Sequence, residues 1–496
     1  MQKFKTYIIP LTLFILSFFL RVLLVSKGPY SGDCLYLAIQ AQKTLQTLQL
    51  QPLFGFGYPL TVILGATFIG IFKLFLIDDP VIAVNFMSVV FSSLSIPIFY
   101  LIVQKLFNAR TAFFSATLFS VSPIFLGISV YGKSHAPSIL FLLLTVEILL
   151  KYLKKNRLRY LFISSICMGF MGATRLQDMV LVMPSLCYLY YILSKDIPKN
   201  KNKYLFLFVI VAGIVTLIFH LPFLFSENLS SFRHQFDRFW SSGVTHNFQG
   251  LVSASLSLTI KLFIQNFSLF GLLVVFLGGG FLCKNNLKIF IFLFVWLTGP
   301  LVFYGNLSTT APRFFAVALP PFFVFQGFLL DKLFNINFRF QIVSVIAYVT
   351  LFVITATSIM PILSFRHRNA LLPEYAQWVA EKTEKNAQII TTDDRFFIQY
   401  YGKRKTLSRP LKSVNFTDEE LSSFQKTLND ILKQNIPVYI TYIGIYDYDP
   451  KKKFSTFLIE NYHLKLIGKS LYEDWHQGEL TKKVFFNPLV KIQKKQ

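Results

Sequence analysis

Residues 105–159 read KLFNARTAFFSATLFSVSPIFLGISVYGKSHAPSILFLLLTVEILLKYLKKNRLR. Two apolar segments, 111–130 and 136–150, lie between two basic clusters, 105–110 and 151–159. Segments of this length reach, or nearly reach, across a hydrocarbon core of about 30 Å. Basic clusters mark cytoplasmic loops, so an even number of crossings must separate neighbouring clusters. Two segments between two clusters satisfy that rule. The stretch reads as a membrane-embedded helical hairpin.

The same parity runs outward along the chain. Further basic clusters sit at 3–5, 195–203, 284–288 and 332–339. Between them lie the pairs 160–174 with 178–193, 204–225 with 261–283, and 288–304 with 314–330. Only the first interval holds an odd number of apolar segments: 7–26, 57–77 and 81–104. Segment 57–77 begins in an aromatic-glycine stretch, is interrupted by Lys73 and ends at Asp78-Asp79-Pro80. It is predicted to lie at the outer interface as an amphipathic or re-entrant helix. That leaves about eleven spanning helices with the N-terminus cytoplasmic. The last, 340–363, delivers the C-terminal part of the chain to the outer face. Lys3 and Lys5 before the first run resemble a signal peptide, but the run is long and no small-residue cleavage site comes after it. It reads as a retained anchor.

Composition agrees. The 496 residues are 54% hydrophobic and only 15% charged, against about a quarter charged in soluble domains. The net charge of +25 is not a nucleic-acid signal. Residues 1–363 hold 27 Lys+Arg against 9 Asp+Glu, mostly in short loops, where they set topology and meet anionic head groups. Cys34, Cys167, Cys187 and Cys283 show no spacing that suggests a disulfide framework or a metal knot. Residues 364–496 read as a small extracytoplasmic α/β domain. Its signals are helical spacing over 373–385, β-rich runs at 388–392 and 438–442, and a charged amphipathic helix over 417–433. The expected fold is an all-α polytopic membrane domain, 1–363, followed by that domain, 364–496. The cell membrane is the expected location.

Few polar groups remain on the outer side, and intramembrane ionisable groups are costly, so they narrow the search for chemistry. Asp33 follows Ser31-Gly32 in the first outer loop, with Tyr36 after it and Tyr58 at the loop's far end. Its carboxylate can act as general base on an acceptor hydroxyl or as a metal ligand. It can equally cap the helix predicted from Leu35. Asp78 and Asp79, before Pro80, are better placed as caps. Glu147 and Asp331 sit beside basic clusters and read as structural. Arg175 and Asp178 occupy a turn between two short helices; they form either a paired charge or a seat for an anionic lipid phosphate. Arg313 opens a spanning helix, where it either snorkels to head groups or meets phosphate. The loop 226–260 adds Arg233, Trp240 and His246, which can face a sugar or serve as ordinary interfacial belt residues. No nucleotide-binding, HExxH, CxxC or nucleophile-elbow motif stands in a credible context.

The ordered set of motifs resembles a family. Asp33, Tyr36 and Ala38 in the first loop are followed by GYPL at 57–60. LFNARTAFFSATLFSVSP at 106–123, GATRLQDMVLVMP at 172–184 and APRFFAVALPPF at 311–322 come next. Over about residues 1–330 this is similar to the GT-C superfamily of integral membrane glycosyltransferases, in particular to the bacterial mannosyl- and aminoarabinosyl-transferases that use polyprenyl-phosphate sugars. The resemblance implies inverting transfer from such a donor to a lipid, glycan or protein acceptor. Asp33 would match the first-loop catalytic Asp. Arg313, Arg175 and further basic residues (Arg233, Lys133) would bind the donor phosphate. Tyr36, Tyr58, His135, Asp178, Trp240 and His246 would line the substrate cavity. The resemblance allows a divalent cation, yet the loop Val130–Pro137 lacks the second carboxylate common in the family and offers Lys133 and His135 instead. A lipid transporter or flippase would predict paired interrupted helices, and no such repeat is found. A catalytically inactive membrane scaffold is the other rival.

Overall fold

The computed structural model describes residues 2–54, 58–193, 200–224, 254–305, 311–392, 394–408, 417–446, 449, 451–475 and 478–495. The chain forms two compact units. Unit 1 comprises residues 1–26, 37–367 and the tripeptide 478–480; unit 2 comprises 27–36, 368–477 and 481–496.

Unit 1 is helical. Its elements are α1 (Gln2–Val22), the greater part of α2 (Gly32–Thr47), α3 (Pro59–Leu74), α4 (Pro80–Leu106), α5 (Ala109–Val121), α6 (Pro123–Ser129), α7 (His135–Lys155) and α8 (Leu158–Thr174). Next come α9 (Leu176–Leu193), α10 (Lys201–Leu224), α11 (Ala254–Asn285), α12 (Leu287–Gly305), a 3₁₀ turn (Pro312–Ala318), α13 (Leu319–Phe334) and α14 (Phe338–Arg368). Among the described residues eight helical spans are long and apolar enough to cross a membrane, or nine if α5 and α6, bent by 60°, form one. Three further apolar helices are shorter: α1 from Ile8 onward, α3 and α8. The expected number of eleven therefore depends on which of these cross.

Local chemistry sets the helix ends. Proline opens α3, α4 and α6, where its missing N–H costs nothing. Asp79 caps α4 as expected, accepting from Val81 N at 2.8 Å and Ile82 N at 3.3 Å. Asn108 caps α5 by accepting from Thr111 N at 2.9 Å. Glu147 meets Lys105 at 2.5 Å and Lys151 at 3.3 Å. Asp331 accepts from Asn108 and Thr111 and lies 3.6 Å from Arg110. These two carboxylates are the ties the sequence suggested.

Small residues let helices approach in the absence of a water-driven hydrophobic force. A methyl at Gly327 would stand 2.1 Å from Ser115 Oγ, and one at Gly278 would stand 2.1 Å from the Phe325 carbonyl. The α5–α6 bend at Ser122-Pro123 frees backbone groups that side chains then satisfy. Asn266 Oδ1 accepts from Ile124 N at 2.9 Å and from Ser122 Oγ at 3.1 Å. Buried Arg21 donates to the Ser120 carbonyl at 3.1 Å. A cavity of about 400 Å³ lies against α1, α5 and α14, lined by apolar side chains including Leu13, Leu16, Phe113 and Phe352.

Unit 2 is an α/β unit around a five-stranded mixed sheet. The strands are β1 (Gln388–Thr391), β2 (Lys405–Ser408), β3 (Val438–Thr441), β4 (Tyr462–Glu473) and β5 (Val484–Lys494), in the order β2-β1-β3-β5-β4. β1 pairs in parallel with β2 and β3, whereas β5 runs antiparallel to β3 and to β4. The expected helices are present as α15 (Leu371–Glu381) and α17 (Asp418–Lys433), with α16 (Arg395–Tyr400) between them. Thr417 and Glu420 form a reciprocal capping box at the start of α17. Phe424, Leu428, Val438, Ile440 and Phe454 build the core.

Candidate active site

In unit 1 the loop before α7, the turn between α8 and α9, the end of α12 and the 3₁₀ turn meet. Three cations and a histidine converge there. Each is set by local structure.

Asn85 on α4 holds the loop before α7. Its Oδ1 accepts from Gly132 N at 2.7 Å and its Nδ2 donates to the Ser26 carbonyl at 3.0 Å. Ser88 Oγ accepts from Lys133 N at 3.3 Å. A methyl at Gly132 would stand 2.6 Å from Val84, so the loop lies tight on α4. Lys133 and His135 are thereby fixed and buried. Neither His135 ring nitrogen has a hydrogen-bond partner among the described residues. Lys133, Arg175 and Arg313 are all close enough to act electrostatically on that ring.

Arg175 sits in the one-residue break between α8 and α9 and is 3% exposed. Its Nε meets Asp178 Oδ2 at 2.8 Å, Nη1 donates to Ser134 Oγ at 3.2 Å and Nη2 to Tyr304 OH at 3.4 Å. Asp178 also accepts from the Tyr304 hydroxyl and from Ser138 Oγ, the latter at 3.1 Å. Of the two sequence readings of this turn, the paired charge is the one the structure displays, and it fixes a buried guanidinium. Asp178, expected among cavity-lining groups, is bound up in that pairing. Aromatic faces complete the surroundings. Arg175 Cζ lies 5.9 Å from the Tyr58 ring centroid and 6.0 Å from that of Phe314; Arg313 Cζ lies 5.1 Å from Phe314. Tyr58 itself is left-handed (φ 44°), and its hydroxyl accepts from Gln177 at 2.9 Å. A tyrosine held there before a proline is strained backbone.

Glu479 is the residue that sequence reasoning missed. It belongs to the tripeptide that unit 1 includes, and it is 0% exposed. Its Oε1 accepts from Tyr131 OH at 2.6 Å and from Arg313 Nη1 at 3.1 Å. Its backbone carbonyl accepts from Arg366 at 3.0 Å. Burial alone would push this carboxyl up, but Arg313, Lys133 and the Tyr131 hydroxyl outweigh burial and hold it below its ordinary value. A carboxylate is thus present beside the loop that lacked one in sequence. It comes from a position 348 residues distant from Tyr131.

Asp33 and Tyr36 lie in unit 2, as part of residues 27–36. Helix α2 starts at Gly32, so Asp33 stands inside its first turn rather than before it. The Asp33 side chain is partly exposed. Tyr36 packs against Phe396, ring centroids 5.5 Å apart. Arg233, Trp240 and His246 lie outside the described residues. No group of three or more His, Cys, Asp or Glu that could hold a metal ion occurs among the described residues. The cation cluster does not suit a divalent ion either, because Asp178 and Glu479 are both paired with arginine.

A family model described as dolichyl-phosphate-mannose-protein mannosyltransferase matches residues 62–223, which include Lys133, His135, Arg175 and Asp178. No curated protein matches the sequence. Solved structures do match the fold. ArnT from Cupriavidus metallidurans, bound to undecaprenyl phosphate, aligns over 98% of each chain at 12% identity with a TM-score of 0.62. The archaeal oligosaccharyltransferase AglB from Archaeoglobus fulgidus, in complex with an inhibitory peptide and a dolichol-phosphate, aligns over 97% of this chain and 74% of its own at 13% identity, TM-score 0.61. The arabinofuranosyltransferase AftD from mycobacteria covers 99% of this chain and 40% of its own at 11% identity, TM-score 0.54. The chain is a multi-pass membrane protein with the fold of the GT-C integral membrane glycosyltransferases, the class its sequence resembles.

Proposed function

We propose that this protein transfers a sugar from a polyprenyl-phosphate donor to an extracytoplasmic acceptor, with inversion at the anomeric carbon. The observation that carries the reading is the pair Arg175 and Arg313 around Phe314, with Lys133 acting on the same His135 ring, whose nitrogens have no hydrogen-bond partner among the described residues, within a GT-C fold. When the bond from the anomeric carbon to the phosphate oxygen breaks, its electron pair goes to that oxygen. Fixed cations there stabilise the transition state more than the ground state. His135, buried among those cations, supplies an N–H to a phosphate oxygen. Asp33 takes the proton of the acceptor hydroxyl as the new bond forms; its support is its early place in the first loop, the position of the family's catalytic aspartate. The protein lies in the cell membrane with its N-terminus cytoplasmic and unit 2 outside. Divalent-cation dependence is not part of the proposed step.

The test is transfer in membranes supplied with radiolabelled polyprenyl-phosphate sugars. Wild type should transfer, and Asp33→Asn, equally abundant, should lose at least about a hundredfold in rate, the usual size of a general-base contribution. Equal transfer by both would remove Asp33 from the chemistry. Silence of wild type across pentose, hexose and aminosugar donors would remove the enzyme reading.

A further inference from the structure

Glu479 is held from several directions. The Arg366 guanidinium bonds its carbonyl, and Gly127 faces its Cβ so closely that a methyl there would stand 3.3 Å away. Gly478 takes φ +83°, and a methyl on it would stand 3.0 Å from Pro312, the residue before Arg313. This is a built contact rather than a loose surface pair. Within the cluster, Asp178 is committed to Arg175, Tyr304 and Ser138. Glu479 is a negative charge set against Arg313, 3.1 Å away, and close enough to Lys133 to act on it. One of its oxygens accepts from Tyr131 and Arg313; the other, Oε2, has no hydrogen-bond partner among the described residues.

We propose that Glu479 is a fixed counter-anion that limits how tightly the cation cluster holds a lipid phosphate, so that the product can leave. The proposal rests on the donor reading above. A polyprenyl-phosphate sugar is a phosphodiester with one negative charge. Breaking the bond to the anomeric carbon leaves a polyprenyl phosphate monoester, which carries up to one charge more. A resident carboxylate beside Arg313 offsets the extra attraction that this product has for the cluster. Glu479 acts through Arg313 and Lys133, which makes it a positioning residue rather than a catalytic one.

The experiment uses the full chain in lipid nanodiscs and undecaprenyl phosphate as the probe, with neutral polyprenol as control. Glu479→Gln keeps a carbonyl acceptor for Tyr131 and Arg313 and removes the charge. Removing one like charge a few ångströms from the phosphate should lower the Kd for undecaprenyl phosphate on the order of tenfold. Binding of polyprenol should not change. Unchanged or weaker phosphate binding by folded Glu479→Gln overturns the proposal, since a merely structural carboxylate gives that result. Should this variant not fold, Glu479→Asp withdraws the charge by one methylene. It should tighten binding severalfold, and unchanged or weaker binding again overturns the proposal. Wild type that binds the phosphate lipid but transfers no sugar sinks the enzyme reading alone, and the Kd comparison still decides the role of Glu479. Wild type that binds no phosphate lipid sinks both.

Discussion

Arg175 and Asp178 stand three residues apart, and their pairing could be read from that spacing. What spacing could not show is that Tyr304 and Ser138 complete the set, because they come from other helices. The geometry makes the pair unequal to the sum of its members. Asp178→Ala would leave a buried guanidinium without its carboxylate, a loss of about 3–5 kcal/mol. Its thermal midpoint should fall well below that of wild type. Replacing both residues with apolar ones should recover much of the loss but none of the phosphate binding. A double variant as unstable as Asp178→Ala would show that the charge itself was not the cause. Arg313 was legible as a cation at the start of a helix, but its partner was not. Glu479 sits in an ordinary polar run, and nothing local marks it as buried. Only the tertiary fold sets it beside Tyr131.

Helix ends were the legible elements. Asp79 before Pro80 and the capping box at Thr417 both carry their geometry in a few adjacent residues. The β4–β5 pair was missed for a physical reason. Its strands are joined by residues 474–483 rather than by a two-residue turn, so the usual hairpin signal is absent. A register shift between Leu466 and Gly468 further blurs the alternation. In unit 1 the loop before α7 depends on α4 through Asn85. Asn85→Ala would strip Gly132 N of its acceptor, at about 1–3 kcal/mol for a buried orphan group. It should also weaken binding of undecaprenyl phosphate, because Lys133 follows the freed amide; intact binding would separate Lys133 from the phosphate. In unit 2 a half-exposed pair links the start of β1 to β5: Lys491 meets Glu384 at 3.1 Å, and Tyr439 donates to the same carboxylate at 2.6 Å. Burial raises Glu384, but the hydrogen bonds from Tyr439 and Lys491 outweigh it and lower it overall. The bond to Glu384 raises Lys491. Stability from the pair is thus present above the ordinary carboxylate range and is lost as pH falls through the lowered Glu384 value. At the other end it is present below the ordinary lysine range and is lost as pH rises through the raised Lys491 value. Being half-exposed, the pair should contribute only a few tenths of a kcal/mol in a Glu384→Gln/Lys491→Met cycle at pH 7. A coupling that persists unchanged at pH 2 would contradict this account.

At the scale of the whole molecule, the excess of positive charge in short loops predicts the topology, because the bilayer reads such charge directly. In a background without the four native cysteines, single cysteines at Asn156 and Asn286 should react with an impermeant maleimide only from the cytoplasmic side. One at Asp78 should react only from outside. All three positions are exposed. Labelling with the opposite sidedness would reverse the orientation and move the cation cluster to the wrong face for an outward acceptor. The tripeptide 478–480 also gives assembly an order in time. A ribosome finishes every helix of unit 1 before it has made the stretch 368–477, and only then adds Glu479. During that interval Arg313 and Lys133 have no Glu479 carboxylate beside them. Nascent chains stalled before residue 478 should therefore hold anionic lipid at this cluster, and finishing the chain should release it.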